Sequence, residues 1–265
     1  MEISIIILTI NNEYFVSTLL DSIKKYKVHE KAEIILIDSS GKKPAITSFQ
    51  NFIIRRYKFV NLIITDKISK GKARNRGFKE AKGNIIVYLD SDTELTKGWY
   101  EALVKSMICS DIVAGYSPDP NMRDIGRVPT LIDGHDITFA TCNIAYKRKV
   151  FEKVGGFIEI QRIPEDCEFH YRCIKAGFAI DYNPKMKVLH HQRFSTFGFL
   201  KQAFWNGEAR YELNKLYPDI KHAHQHGLSF NNILRMGAGF LGFTIGRFLG
   251  KKDKVGARYR KEERK

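Results

Sequence analysis

Apolar positions in this 265-residue chain fall into short unbroken runs separated by stretches with helical spacing. Glu2 to Thr9, Glu33 to Ile37, Phe59 to Thr65 and Asn84 to Leu89 are rich in β-branched and aliphatic residues and have almost no polar interruption. Such runs predict strands covered on both faces. Between them, Phe15, Leu19, Leu20 and Ile23, then Ala45 to Arg56, then Lys70 to Ala81 predict helices. Strand and helix alternate at the spacing of βαβ units, which predicts an α/β fold with a mostly parallel central sheet between helices. Further along, the pattern predicts a helix over Thr93 to Met107, a strand over Asp111 to Tyr116 and a strand over Ile137 to Tyr146. A short helix over Lys147 to Val154, a helix from Glu165 to Gly177, strands at Asp181 to Pro184 and Met186 to Leu189, and an aromatic-rich helix over Phe194 to Tyr217 follow. Ser117 to Asp136 is rich in Pro, Gly and Asp without periodicity and predicts a mobile loop over the substrate.

The strand ends carry the chemistry. Parallel strands end along one sheet edge, so Thr9, Asn11, Asp38 and Asp90 are expected to share a crevice. The run NIIVYLDSD ends in Asp90 and Asp92, two apart, which in extended backbone point the same way. Paired carboxylates suit a hard cation, Mn²⁺ or Mg²⁺, that can grip a diphosphate. In ISKGKARNRGFKEAKG, Lys70, Lys72, Arg74 and Arg76 gather at a helix start and favour phosphate. Glu165, Asp166 and Glu168 load the first turn of a later helix, where a carboxylate is either a cap or a catalytic group. His190 and His191 end the last strand, and as neighbours they face opposite sides, so spacing does not choose between them. His222, His224 and His226 alternate in a polar linker without a carboxylate or cysteine beside them and are not read as a metal site.

Charge adds a second feature. The net charge is +15, and Gly227 to Lys265 holds ten basic against three acidic residues, +7 of that total. Phe230 to Gly250 is apolar, but Arg235 and Arg247 leave only eleven uncharged residues between them, short of the roughly 20 a membrane span needs. Ala238, Gly242, Gly246 and Gly250 form one small-residue row suited to close helix packing. The basic run after Lys251 suits anionic head groups, each charge contributing about 1 kcal/mol near the surface. This pattern predicts two parts: a catalytic domain over residues 1–226 and a helix with a basic tail over 227–265 that anchors to an anionic membrane surface. The alternative is a helix packed on protein. Strand-end carboxylates argue against a nucleic-acid groove despite the charge, so no nucleic acid is expected as partner. Four cysteines without CxxC spacing imply reduced thiols, and the N-terminus reads as a first strand rather than a signal peptide.

Several stretches, in order over about the first 200 residues, resemble family 2 glycosyltransferases: SIIILTINNE, EIILIDSSG, GKARNRGFKEAKG, the DSD motif, then NIAYKRKVFEKVGGF and PEDCEFHYRCIKAGF. The resemblance implies a GT-A, Rossmann-like fold, an inverting metal-dependent transfer, and a UDP- or GDP-linked sugar donor. It implies an acceptor hydroxyl or phosphate on a saccharide or a lipid-linked glycan. By the same likeness Asp166 is the general base with Glu165 beside it. Asp90 and Asp92 hold the metal, with His190 or His191 as a third ligand. Thr9, Asn11, Glu13, Asp38, Lys72, Arg74, Asn75, Asp90, Ser91 and Asn143 contact the nucleotide sugar, with Thr141 and Cys142 also facing it. Family members often carry Pro-x-Asn where this chain has Ile10-Asn11, and a second Asp at Ser39, so the nucleotide base stays open. A cytoplasmic location at the inner membrane face and a homodimer are further expectations. The alternatives are a nucleotidyltransferase acting on a sugar phosphate and a basic nucleic-acid-binding protein.

Overall fold

The computed structural model describes residues 2–10, 12–41, 44–119, 130–191, 196–222 and 230–249. Its centre is a sheet of eight strands. In chain order these are β1 (Ile3–Thr9), β2 (Glu33–Asp38), β3 (Val60–Ile64), β4 (Ile85–Asp90), β5 (Thr93–Leu95), β6 (Ile112–Tyr116), β9 (Asn143–Lys147) and β10 (Asp181–His190), arranged β3-β2-β1-β4-β9-β6-β10-β5. The first four pair in parallel, β6 and β10 pair in parallel, and β9 runs antiparallel to both β4 and β6. A small second sheet joins β7 (Thr130–Ile132), β8 (His135–Asp136) and β11 (Lys221–His222).

The unbroken apolar runs are explained by cover on both faces. Ile5, Ile7, Leu36, Val87 and Leu89 pack under α1 (Glu13–Lys25), α2 (Pro44–Arg56) and α4 (Trp99–Cys109). Their alternates Ile6, Ile35, Ile37, Ile86 and Tyr88 pack under α3 (Lys70–Glu80), α5 (Arg148–Val154) and α6 (Glu165–Lys175). Asp38 follows the first parity and turns toward α2, where Gln50 donates to it at 2.7 Å. Asp90 follows the second and turns toward α3. Because Leu8 lies opposite Asp90 and Thr9 opposite Asp38, the ends of β1, β2 and β4 are adjacent.

Four expectations change. Thr93 to Leu95 is a strand rather than the start of a helix; Thr93 and Leu95 are buried and pair with His190 and Val188, and α4 begins only after Gly98, whose φ is +84°. Ile137 to Cys142 is irregular and only Asn143–Lys147 is a strand, because Asp136 accepts from the N–H and hydroxyl of Thr138 in a local turn. The two strands expected around Pro184 are one, with a register shift between Asn183 and Lys187 where proline has no N–H for the ladder. The end of the expected loop is a hairpin, β7–β8, turned by Asp133 and Gly134 with φ of 48° and 84°; residues 120–129 lie outside the described residues.

C-terminal to the sheet, α7 (Thr196–Leu216) and α8 (Phe230–Leu249) pack against each other. Backbones meet at glycine: a Cβ on Gly207 would lie 1.9 Å from the Gly239 carbonyl oxygen, and one on Gly242 would lie 2.0 Å from that of Phe204. Of the expected row, Gly242 lies at this contact. Gly250 and residues 251–265 lie outside the described residues, as do His224 and His226. Among the described residues, no helix is long and apolar enough to cross a membrane.

Candidate active site

Asp90, Asp92 and His190 bring one ligand atom each to within 4.8 Å of one another. Asp90 ends β4. Asp92 sits in the following turn, and the pairing of β5 with β10 folds that turn against the last strand. The N–H of His191 donates to the Asp92 carbonyl at 2.8 Å, and the N–H of His190 to the Pro118 carbonyl at 2.9 Å. This ladder sets His190 Nε2 3.3 Å from Asp92 Oδ1. His191 points the other way, 3.0 Å from Glu94 and stacked on Phe15. The tertiary ladder therefore distinguishes two residues that sequence spacing could not. Burial disfavours charge on His190, but hydrogen bonds to Asp92 and Cys142 outweigh it and push the imidazole up to about 11. The same pairing holds Asp92 below the usual carboxylate range against the opposing effect of burial.

Arg74, 2% exposed, joins this group to a second one. Its guanidinium ion-pairs with Glu165 at the start of α6 and lies 4.0 Å from Asp90 Oδ1. Burial would raise Glu165, but Arg74 and Lys70 hold it below its ordinary range. Asp166 moves the opposite way: burial and the negative charge of Glu165 both raise it. Two adjacent carboxylates thus have opposed proton affinities, the pattern by which acid–base roles separate. The Asp90 charge in turn raises the Lys70 ammonium. Lys70 belonged to the basic row but not to the expected contacts; its position at N1 of α3, a turn before Arg74, was the available signal.

The other expected contacts divide. Ser91 is buried and accepts from Asn12 at 3.1 Å. Thr9 is 5% exposed at the end of β1, and its hydroxyl has no partner among the described residues; nor does Arg74 Nε. Asp38 is wholly buried, with its oxygens taken by Ser40 and Gln50. Asn75 instead pins the chain after α5, bonding both the N–H and carbonyl of Phe157 at 2.8 Å. Asn143, rather than facing a crevice, is 1% exposed: it accepts from the Trp99 indole at 3.0 Å and donates to the Met186 carbonyl at 2.7 Å. Thr141 and Cys142 are also buried. Lys72 is exposed, and its N–H is capped by Ser69 at 3.2 Å. Asn11 and the side chain of Glu13 lie outside the described residues.

The profile of glycosyl transferase family 2 matches residues 4–128, a span that begins in β1 and includes the DSD motif and β6. That stretch of the chain is similar to family 2 glycosyl transferases. The chain is 29% identical over 162 residues to a pre-mycofactocin glycosyltransferase of Mycobacterium tuberculosis, covering 53% of this chain and 34% of that protein. It is 25% identical over 210 residues to a probable glycosyltransferase, YdaM, of Bacillus subtilis, covering 69% and 49%. The chain thus spans a third to a half of the length of these curated relatives. Solved structures share the fold. The mannosyltransferase PcManGT of Pyrobaculum calidifontis, in complex with GDP-Man and Mn²⁺, superposes with a TM-score of 0.65 at 14% identity over 98% of this chain and 79% of its own. Staphylococcus aureus TarS with UDP-GlcNAc gives 0.63 at 18% over 82% and 65%. The fold is that of GT-A proteins.

Proposed function

We propose that this chain is a metal-dependent inverting glycosyltransferase that moves a sugar from a UDP- or GDP-linked donor to a hydroxyl acceptor. The observation that carries this reading is the convergence of Asp90, Asp92 and His190 beside an Arg74–Glu165 bridge that leads to Asp166. The donor set suits the group: two carboxylates and an imidazole match Mn²⁺ or Mg²⁺. The Thr9 hydroxyl and Arg74 Nε are buried polar atoms without a partner among the described residues. Structures of this fold hold GDP-Man with Mn²⁺ and UDP-GlcNAc. A divalent ion held by Asp90, Asp92 and His190 would neutralise charge on the departing nucleoside diphosphate. Lys70 adds a fixed positive charge near Asp90. Asp166, whose proton affinity is raised, takes the proton of the acceptor hydroxyl as its oxygen attacks the anomeric carbon from the face opposite the diphosphate. Arg74 keeps Glu165 ionised and the first turn of α6 fixed.

Residues 227–265 form, in this reading, a surface anchor that brings the site to a lipid-linked acceptor at an anionic membrane. Phe240 and Leu241 on α8, and Trp205 on α7, are 73%, 54% and 52% exposed, and the basic residues of the tail follow. The test of the catalytic reading is Asp166→Asn. Transfer falls about 10²–10⁴-fold, the usual contribution of a general base, while nucleotide binding with Mn²⁺ by calorimetry is retained. Near-normal turnover refutes Asp166 as base, and pyrophosphate instead of nucleoside diphosphate as product replaces the reading with a nucleotidyltransferase.

A further inference from the structure

The helix that bears Glu165 and Asp166 is covered on its outward face by chain arriving from the far end of α7. Tyr217 stacks on Tyr171 with ring centroids 3.8 Å apart and planes at 24°. Its hydroxyl donates to Glu168 Oε1 at 3.0 Å. Glu168 is 0% exposed, and its carboxylate is otherwise gripped by Arg172, at 2.7 and 2.8 Å. The Tyr171 hydroxyl donates to Asp219 at 3.0 Å, and Lys175 bridges Asp219 at 2.9 Å and Asp133 at 3.0 Å. Glu168, Tyr171 and Lys175 follow at spacings of three and four, so they form one stripe of α6. Beyond them Ile220 buries with Ile163 and Ile174, and Lys221 and His222 add a strand to β7.

We propose that residues 216–222 are a strap across α6 and that Tyr217 is a positioning residue for the transfer step. They act mainly through the Tyr217–Tyr171 stack, with the hydroxyl bond to the buried Glu168, two residues after Asp166, beside it, and fix the rotation and depth of the helix that presents both first-turn carboxylates. This use of the strap rests on the reading of Asp166 as base. Sub-ångström placement matters there, since misplacement of a catalytic group by about 1 Å costs up to roughly 100-fold in rate.

The test uses the full chain carrying Tyr217→Ala, Tyr217→Phe or Asp219→Asn, with hydrogen exchange of the α6 amides read beside kinetics. Tyr217→Ala is expected to speed exchange across Cys167 to Cys173 and to lower kcat about tenfold, with donor KM and nucleotide–Mn²⁺ affinity within twofold. Tyr217→Phe keeps the stack and is expected to recover most of the rate. If Tyr217→Ala does not fold, Asp219→Asn at the exposed end of the strap takes its place, with faster α6 exchange and a smaller fall in kcat. Unchanged α6 exchange overturns the strap. Faster exchange with unchanged kcat overturns the positioning role, and equal loss in Tyr217→Ala and Tyr217→Phe overturns the stack as its basis. A failure of the Asp166 reading shows separately, as an Asp166→Asn variant that still transfers.

Discussion

Asp166 and Glu165 are neighbours in sequence with opposite electrostatic surroundings. Glu165 has Arg74 and Lys70 against it; Asp166 has burial and the Glu165 charge. A base must be deprotonated to work, so a raised Asp166 loses activity on the acid side at a higher pH than an ordinary aspartate would. Glu165→Gln removes the repelling charge and frees Arg74 to attract, and both effects lower the Asp166 pKa. The acid limb of the kcat/KM profile is therefore expected to move to lower pH; a limb that stays or rises excludes this coupling. Some of this was legible in the sequence: the DSD motif and the acidic first turn stand out. Which histidine joins them was not, because the choice depends on β10 pairing with β5. The surroundings of Asn143 were not legible for a related reason. Its bonds go to Trp99 and Met186, partners that sequence spacing does not bring near.

At the scale of elements, periodicity located the strands buried on both faces and the helices between them, since an apolar run needs no partner to be recognised. It failed where an element exists only through pairing. The strand Thr93–Leu95 is three residues long and depends on β10 for its ladder. The α7–α8 hairpin makes a direct test of close packing. Gly242→Val places a Cβ 2.0 Å from the Phe204 carbonyl oxygen, a backbone atom that cannot swing aside. Overpacking of this kind costs about 1–3 kcal/mol, so the variant is expected to melt lower and to expose α8 to trypsin at Arg247. Gly237 has nothing within 4 Å of its Cβ position. Gly237→Val is expected to melt like the parent or slightly above it, since glycine is the poorer helix former. Equal effects at both positions refute the hairpin contact.

At the scale of the whole molecule, the tail joins the chemistry to its proposed surroundings. The protein is expected to co-sediment with vesicles rich in anionic lipid and not with neutral ones, and raised salt is expected to weaken the binding. A chain shortened by residues 251–265 is expected to lose most of it. An unchanged bound fraction rules out the basic anchor.

By itself the sequence determined the layered α/β architecture, the edge at which the strands end, and the acidic and basic groups concentrated there. These follow from local order: hydrophobic period and the two-residue alternation of a strand act between near neighbours. Tertiary structure alone decided which distant residues meet. His190 reaches Asp92 through a strand pairing, Arg74 on α3 links Asp90 at the end of β4 to Glu165 at the start of α6, and Tyr217 closes over Glu168 from beyond α7. Each of these contacts depends on sheet order and helix packing, which emerge only when every apolar face has found its cover.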